Sequence, residues 1–276
     1  MSLASILVYV DFDEGAADRI RAAADLAARF NSALIGVGAW PLLKSEPSLP
    51  ALETASPAAD EDRQQAIARR LERLGDQFHK VAGKSPHEVE WRSSPHFPRE
   101  VLVEHSRAAD VLVIGREFTS GDSSHTYDPG TVILGAGRPV FVLPRGIKRI
   151  DFSKMMIAWK DTREARRAVH DALPFLKQAE KVAIAVANPH SYLTSIDEQV
   201  ADLTRYLARH GVPLDQDMET LAGEDDGSIL LELAEDYGAG LIIAGAYGRT
   251  RLSEWVFGGV TRHLLTSSTK PCLFSN

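Results

Sequence analysis

Short runs of Val, Ile and Leu alternate with helical stretches along this chain, and the whole alternation occurs twice. Residues 5–11 read SILVYVD and residues 155–161 read MMIAWKD, each an apolar run that ends in an acid and gives way to a polar turn. The spacing of apolar positions then predicts an amphipathic helix over 16–30 (AADRIRAAADLAARF) and another over 163–177 (REARRAVHDALPFLK). A second apolar run follows each helix, ALIGVGAW (33–40) and VAIAVAN (182–188). Farther on come ADVLVIG (109–115) and AGLIIAG (239–245), and the halves close with RPVFVLP (138–144) and KPCLFS (270–275).

Apolar runs that do not alternate with polar residues belong to strands covered on both faces, the mark of a parallel sheet built from βαβ units. The fold class is therefore α/β, with two tandem doubly wound domains of roughly five strands each and helices on both faces. A long charged helix is expected at about 60–82, with its counterpart at about 194–210. Residues 144–154 (PRGIKRIDFSK) are polar and contain Pro and Gly, so the units are divided as 1–146 and 147–276. Residues 41–59 carry four prolines and read as an exposed loop.

Composition narrows the partners. The 276 residues are 44% hydrophobic, enough for each half to bury a core of its own. A net charge of -7 gives no cationic field for nucleic acid or acidic lipid. No stretch approaches the roughly 20 apolar residues that span a bilayer. The first apolar run meets acids at once, unlike a signal peptide, so a cytoplasmic location is expected. Cys272 is the single cysteine, which excludes an internal disulfide and a cysteine metal cluster.

In an open parallel sheet, ligands bind beyond the carboxyl ends of the strands, where strand order reverses. In the second half those ends are Trp159, Lys160 and Asp161, then Ala187 and Asn188, then the stretch from Gly245 to Thr261. Gly245 and Gly248 can let backbone approach a ligand closely. Gly258 and Gly259 open a helical pattern, VTRHLLTSS, whose free first-turn amides suit an anion, and Arg249 and Arg251 can add charge-assisted contacts to phosphate. Glycines that merely turn the chain, with solvated arginines, give the plainer account of the same residues.

The spacing Gly-x2-Gly-x9-Gly followed by a helix, with an acid closing the first strand, resembles the universal stress proteins. Gly245, Gly248 and Gly258 fill the three glycine positions, Asp161 fills the acidic one, and Val260 and Thr261 continue the match. The resemblance covers both repeats and implies a sheet ordered 3-2-1-4-5 and, in one branch, bound ATP, taken here with or without Mg. By that resemblance Trp159, Asp161 and Ala187 would face the adenosine part, and Gly245, Gly248, Arg249, Gly258, Gly259, Val260 and Thr261 the phosphates. It further implies a regulatory ligand with little turnover, a stress-linked protein partner, and pairing of the closing strands, inside the chain as a pseudo-dimer or between chains as a homodimer.

Two departures bear on that site. Gly259 stands where the family's ATP-binding pattern has Ser or Thr, which removes a hydrogen bond to a charged group worth about 1.5–3 kcal/mol. Trp159 replaces a small residue or proline and is read as lining the pocket or stacking on adenine. The first half keeps Asp11 and Gly115 but has Phe118 where the second glycine should stand, so no ATP is expected there.

Other chemistries find little support. There is no Gly-x4-Gly-Lys-(Ser/Thr) and no Gly-x-Ser-x-Gly, and Gly36-Val-Gly38 lacks a third glycine and a following helix. No histidine pair has the helical spacing of a zinc protease, and Cys272 lies in an apolar run as a small core residue. The sequence thus predicts a nucleotide-binding stress regulator. The rival is a scaffold working by protein contacts alone, and the third option is an enzyme acting on a nucleotide-like substrate in the same cleft.

Overall fold

A computed structural model describes residues 3–42, 57–83, 88–116, 126–187, 195–215, 222–223, 227–246 and 259–276. The apolar runs are strands: β1 (Ser5–Val10), β2 (Ala33–Ala39), β3 (Val89–Ser94), β4 (Val111–Gly115) and β5 (Val140–Leu143) in the first half. The second half has β6 (Lys154–Trp159), β7 (Lys181–Ala187), the two-residue β8 (Ala222–Gly223), β9 (Leu241–Gly245) and β10 (Cys272–Ser275). Between them run α1 (Ala16–Phe30), α2 (Pro57–Ala82), α3 (Pro98–His105) and α4 (Pro129–Ala136), then α5 (Arg163–Leu176), α6 (Ile196–Arg209), α7 (Gly227–Tyr237) and α8 (Gly259–Ser267). α1 falls on its expected residues, while α2 opens earlier than the expected 60, because Pro57 is at home in a first helical turn.

The strands form one sheet of ten, ordered β3-β2-β1-β4-β5-β10-β9-β6-β7-β8. Each half has the 3-2-1-4-5 order, but the halves do not make two sheets. β5 and β10 pair antiparallel through Val142–Cys272, Phe141–Leu273 and Val140–Phe274, and every other strand pair is parallel. The physical reason is edge satisfaction. Each closing strand is fully buried, so an unpaired edge would leave its backbone donors and acceptors without water.

The helices cover both faces. Ile6, Val8 and Val10 of β1 share a core with residues of α1, α2, α5 and α6. Leu7 and Tyr9 face the opposite way, into a core shared with α3, α4, α7 and α8. On the first face four rings join the halves: Phe175 of α5 lies 5.3 Å from Phe30 of α1, 5.0 Å from Phe141 of β5 and 5.5 Å from Phe152.

The sheet also corrects the alignment of the repeats. Ile6 pairs with Val111 and Met155 with Leu241, so Val10 corresponds to Trp159 and Asp11 to Lys160. Asp161 sits one residue farther along than Asp11. Because side chains alternate across a strand, the shift sets Trp159 in the place of Val10, on the face covered by α1, α2, α5 and α6.

Cys272 is 2% exposed, with its thiol 3.5 Å from the Ser268 hydroxyl. Burial pushes its pKa up to about 12, so the reactive thiolate is scarce at neutral pH. Alkylation of native protein with iodoacetamide at pH 8 is therefore expected to be at least a hundredfold slower than in 6 M guanidinium chloride, where the same cysteine serves as an internal control. Comparable rates in the two conditions would contradict the buried closing strand.

Candidate functional site

Both halves have a topological switch point, where the crossovers leave the central strand in opposite directions. It lies between β1 and β4 in the first half and between β6 and β9 in the second. The antiparallel seam turns the two strand ends toward opposite edges of the sheet.

The first crevice is filled by the chain itself. Arg19 of α1 is 5% exposed and reaches back under the sheet end. Its Nε donates to the Tyr9 carbonyl at 2.9 Å, and its Nη2 pairs with Asp11 Oδ1 at 2.7 Å. A Cβ on Gly115 would collide with the Arg19 guanidinium, so this glycine makes room for an arginine. Tyr127 closes the other side: its hydroxyl donates to the Gly115 carbonyl at 3.1 Å and accepts from the Gly115 amide at 3.0 Å. Its ring meets Tyr9 edge-on at 5.1 Å. Burial and then the Asp11 charge push the Tyr9 phenol up, which keeps it neutral. The space left among Asp11, Arg19, Gly115 and Arg145 is about 10 Å³, room for about one water.

The second crevice is built differently. Lys160 and Asp161 follow β6 and are exposed, and Asp161 pairs with Arg166 at 3.1 Å. Trp159 is 5% exposed and packs in the core shared with α5 and α6, and its indole Nε1 has no hydrogen-bond partner among the described residues. It therefore belongs to the helix-covered core rather than to an open wall. Gly245 ends β9 where the first turn of α5 crosses it, and a Cβ there would strike the backbone of Glu164 and Ala165. That turn is set by Thr162, whose hydroxyl accepts from the Ala165 amide at 3.2 Å. Glu164 is buried beside it, and although burial raises its pKa, the Arg163 hydrogen bond and charge, its own backbone amide and the Thr162 hydroxyl together hold it below the usual carboxylate range.

Ala187 closes β7. α8 opens at an exposed Gly259, followed by a half-buried Val260 and a buried Thr261. Gly248, Arg249 and Gly258 lie outside the described residues. The structure thus places Gly245 and Gly259 at the two ends of the glycine block, and Trp159 and Asp161 at the end of the neighbouring strand.

Sequence reasoning missed Arg19 and Tyr127. A signal for Arg19 was present, since it shares the buried stripe of α1 with Ala16 and Ala23, and a charge on a buried stripe needs a partner. Among the described residues no group of three or more His, Cys, Asp or Glu is placed to hold a metal. No described helix is long and apolar enough to cross a membrane.

Comparison with known proteins agrees with the fold. A family model described as the universal stress protein family fits residues 3–122 and again residues 151–275. In fold the chain is similar to a universal stress protein from Archaeoglobus fulgidus DSM 4304, with a TM-score of 0.71 and 12% identity over 100% of this chain and 97% of that one. It is also similar to a candidate universal stress protein from Pseudomonas aeruginosa UCBPP-PA14, with a TM-score of 0.59 and 16% identity over 99% and 93% of the two chains. In sequence, 44 residues are 41% identical to the universal stress protein MJ0577 of Methanocaldococcus jannaschii. That stretch is 16% of this chain and spans 27% of the relative's length.

Proposed function

The chain belongs to the universal stress protein family, twice over, and from that premise we propose that it is a regulator that binds an adenine nucleotide, ATP, in the unit formed by residues 147–276. One observation carries the reading. β9 ends with Gly245 at the switch point and α8 opens at Gly259, so the Gly245-x2-Gly248-x9-Gly258 block joins a strand end to a helix N-terminus. That is the arrangement in which backbone amides and the helix dipole hold phosphate.

The residues present fit such a group. Lys160 is exposed at the end of the adjacent strand, and the Asp161 charge is matched by Arg166. In the first unit, by contrast, Arg19 and Tyr127 occupy the crevice at the corresponding switch point. ATP would supply a charged phosphate chain that orders the glycine block, and the cost of ordering is what a protein partner could then sense.

Isothermal titration with Mg-ATP, after stripping any co-purified small molecule, tests the reading. We expect saturable binding at one site per chain, lost in Gly248→Phe. No binding at millimolar ATP would transfer the function to a scaffold that acts through protein contacts. Steady product release, abolished by Asp161→Asn, would transfer it to an enzyme.

A further inference from the structure

The first half carries a second opening, away from its filled crevice and on the other side of β2. It lies between α2 and the edge strand β3 and has a volume of about 560 Å³. Pockets that hold small molecules are ordinarily about 300–1,000 Å³. Ile67 and Leu71 of α2 are 7% and 8% exposed and form its inner wall, while Leu42, Ala68 and Pro95 stand at its mouth.

Trp91 of β3 forms one side of the cleft, and its seat is built for it. A Cβ on Gly38 would lie 2.6 Å from the Trp91 ring, and a Cβ on Gly75 would lie 2.8 Å from its Nε1. Gly75 is inside α2, where glycine costs about 1 kcal/mol relative to alanine. The ring is further held by Phe78, stacked at 5.6 Å and 30°, and Phe78 in turn fills the space left by Gly36. The unexplained Gly36-Val-Gly38 pair is thus accounted for as the floor under two aromatic rings. The charge of the lining is one-sided. Glu72 is the single ionic group among the described lining residues, with Gln64 and Ser93 as neutral hydrogen-bonding groups.

We propose that this cleft is a binding site for an uncharged, mainly apolar, ring-containing small molecule. The half-buried Trp91 ring, already fixed by Gly38, Gly75 and Phe78, offers aromatic contact at little ordering cost, and an anion would meet Glu72 with no cation among the described lining residues to compensate. The site is independent of the nucleotide reading, being in the other half of the sheet.

The test uses the full chain and N-phenyl-1-naphthylamine, an uncharged fluorophore in which a phenyl ring is joined to a naphthalene. We expect saturable binding at one site per chain, with quenching of tryptophan emission that is lost in Trp91→Phe. Ala68 is exposed at the mouth, so Ala68→Trp fills the cleft without touching the core and should weaken binding at least tenfold while leaving the thermal transition unchanged. The anionic relative 8-anilinonaphthalene-1-sulfonate should bind at least tenfold more weakly than the uncharged probe. Gly248→Phe should leave probe binding unaltered, which separates this site from the nucleotide one. Non-saturable uptake, or equal binding by the Ala68→Trp chain, would overturn the site, and equal affinity for the anionic probe would overturn its ligand class.

Discussion

Phe175→Ala is expected to lower the stability of the whole chain by about 3–5 kcal/mol, the usual range for emptying a buried aromatic site. Phe175 is fully buried, and its ring is the meeting point of Phe30, Phe141 and Phe152. Two of those rings, on α1 and β5, belong to the first half, so the cavity opens across the seam rather than inside one half. Little can collapse into it, because β5 and β10 beneath are locked by ladder hydrogen bonds. Urea unfolding followed by far-ultraviolet circular dichroism should show a lower midpoint with a single transition. Phe30→Ala removes a ring that is only partly buried and should cost less. If Phe175→Ala shifts the midpoint by under 1 kcal/mol, or splits the transition with one half unmoved, the rings do not couple the halves.

Much of this architecture was legible because it depends on periodicity alone. The unbroken Val/Ile/Leu runs gave strands buried on both faces, and the helix over 16–30 came out at its exact bounds. What periodicity could not give is the lateral arrangement. RPVFVLP and KPCLFS read as two closing strands, but neither run by itself says that they pair; that expectation comes from the family resemblance, and the β5–β10 ladder agrees with its within-chain form.

The candidate site was less legible, for a related reason. Aligning the repeats by their acids puts Asp11 against Asp161, whereas the sheet puts Asp11 against Lys160. The chain leaves β6 for its helix by a shorter connection than it leaves β1, and Asp161 stands one residue farther from its strand than Asp11 does while the apolar pattern is the same. Trp159 moved with it: read as a wall of the nucleotide pocket, it lies in the core beneath the helices. Gly245 was read as room for a ligand, and the structure gives it a packing duty against α5 as well. Strand ends thus brought the candidate residues to the switch point, while the facing of each side chain needed the register.

Asp11→Ala is the second large effect, about 3 kcal/mol of lost stability. Arg19 keeps its charge at any accessible pH, and burial would disfavour that charge were Asp11 not beside it. Removing Asp11 leaves a guanidinium that is 5% exposed with the Tyr9 carbonyl as its remaining close acceptor among the described residues. Breaking a buried pair from one side typically costs about 3–5 kcal/mol. The lower end applies because the Asp11 side chain is 21% exposed, so water can enter where the carboxylate stood. The same reasoning makes the double variant Asp11→Ala with Arg19→Met the decisive comparison. Methionine can occupy the arginine's slot under Gly115 without a charge, so the pair of changes should recover most of the loss and yield a coupling energy of about 2 kcal/mol in a double-mutant cycle. Additive effects of the two substitutions would mean that the ion pair does not hold the first crevice shut. Recovery in the double variant would identify Asp11 as the counter-charge of a built-in plug rather than as a ligand-binding acid.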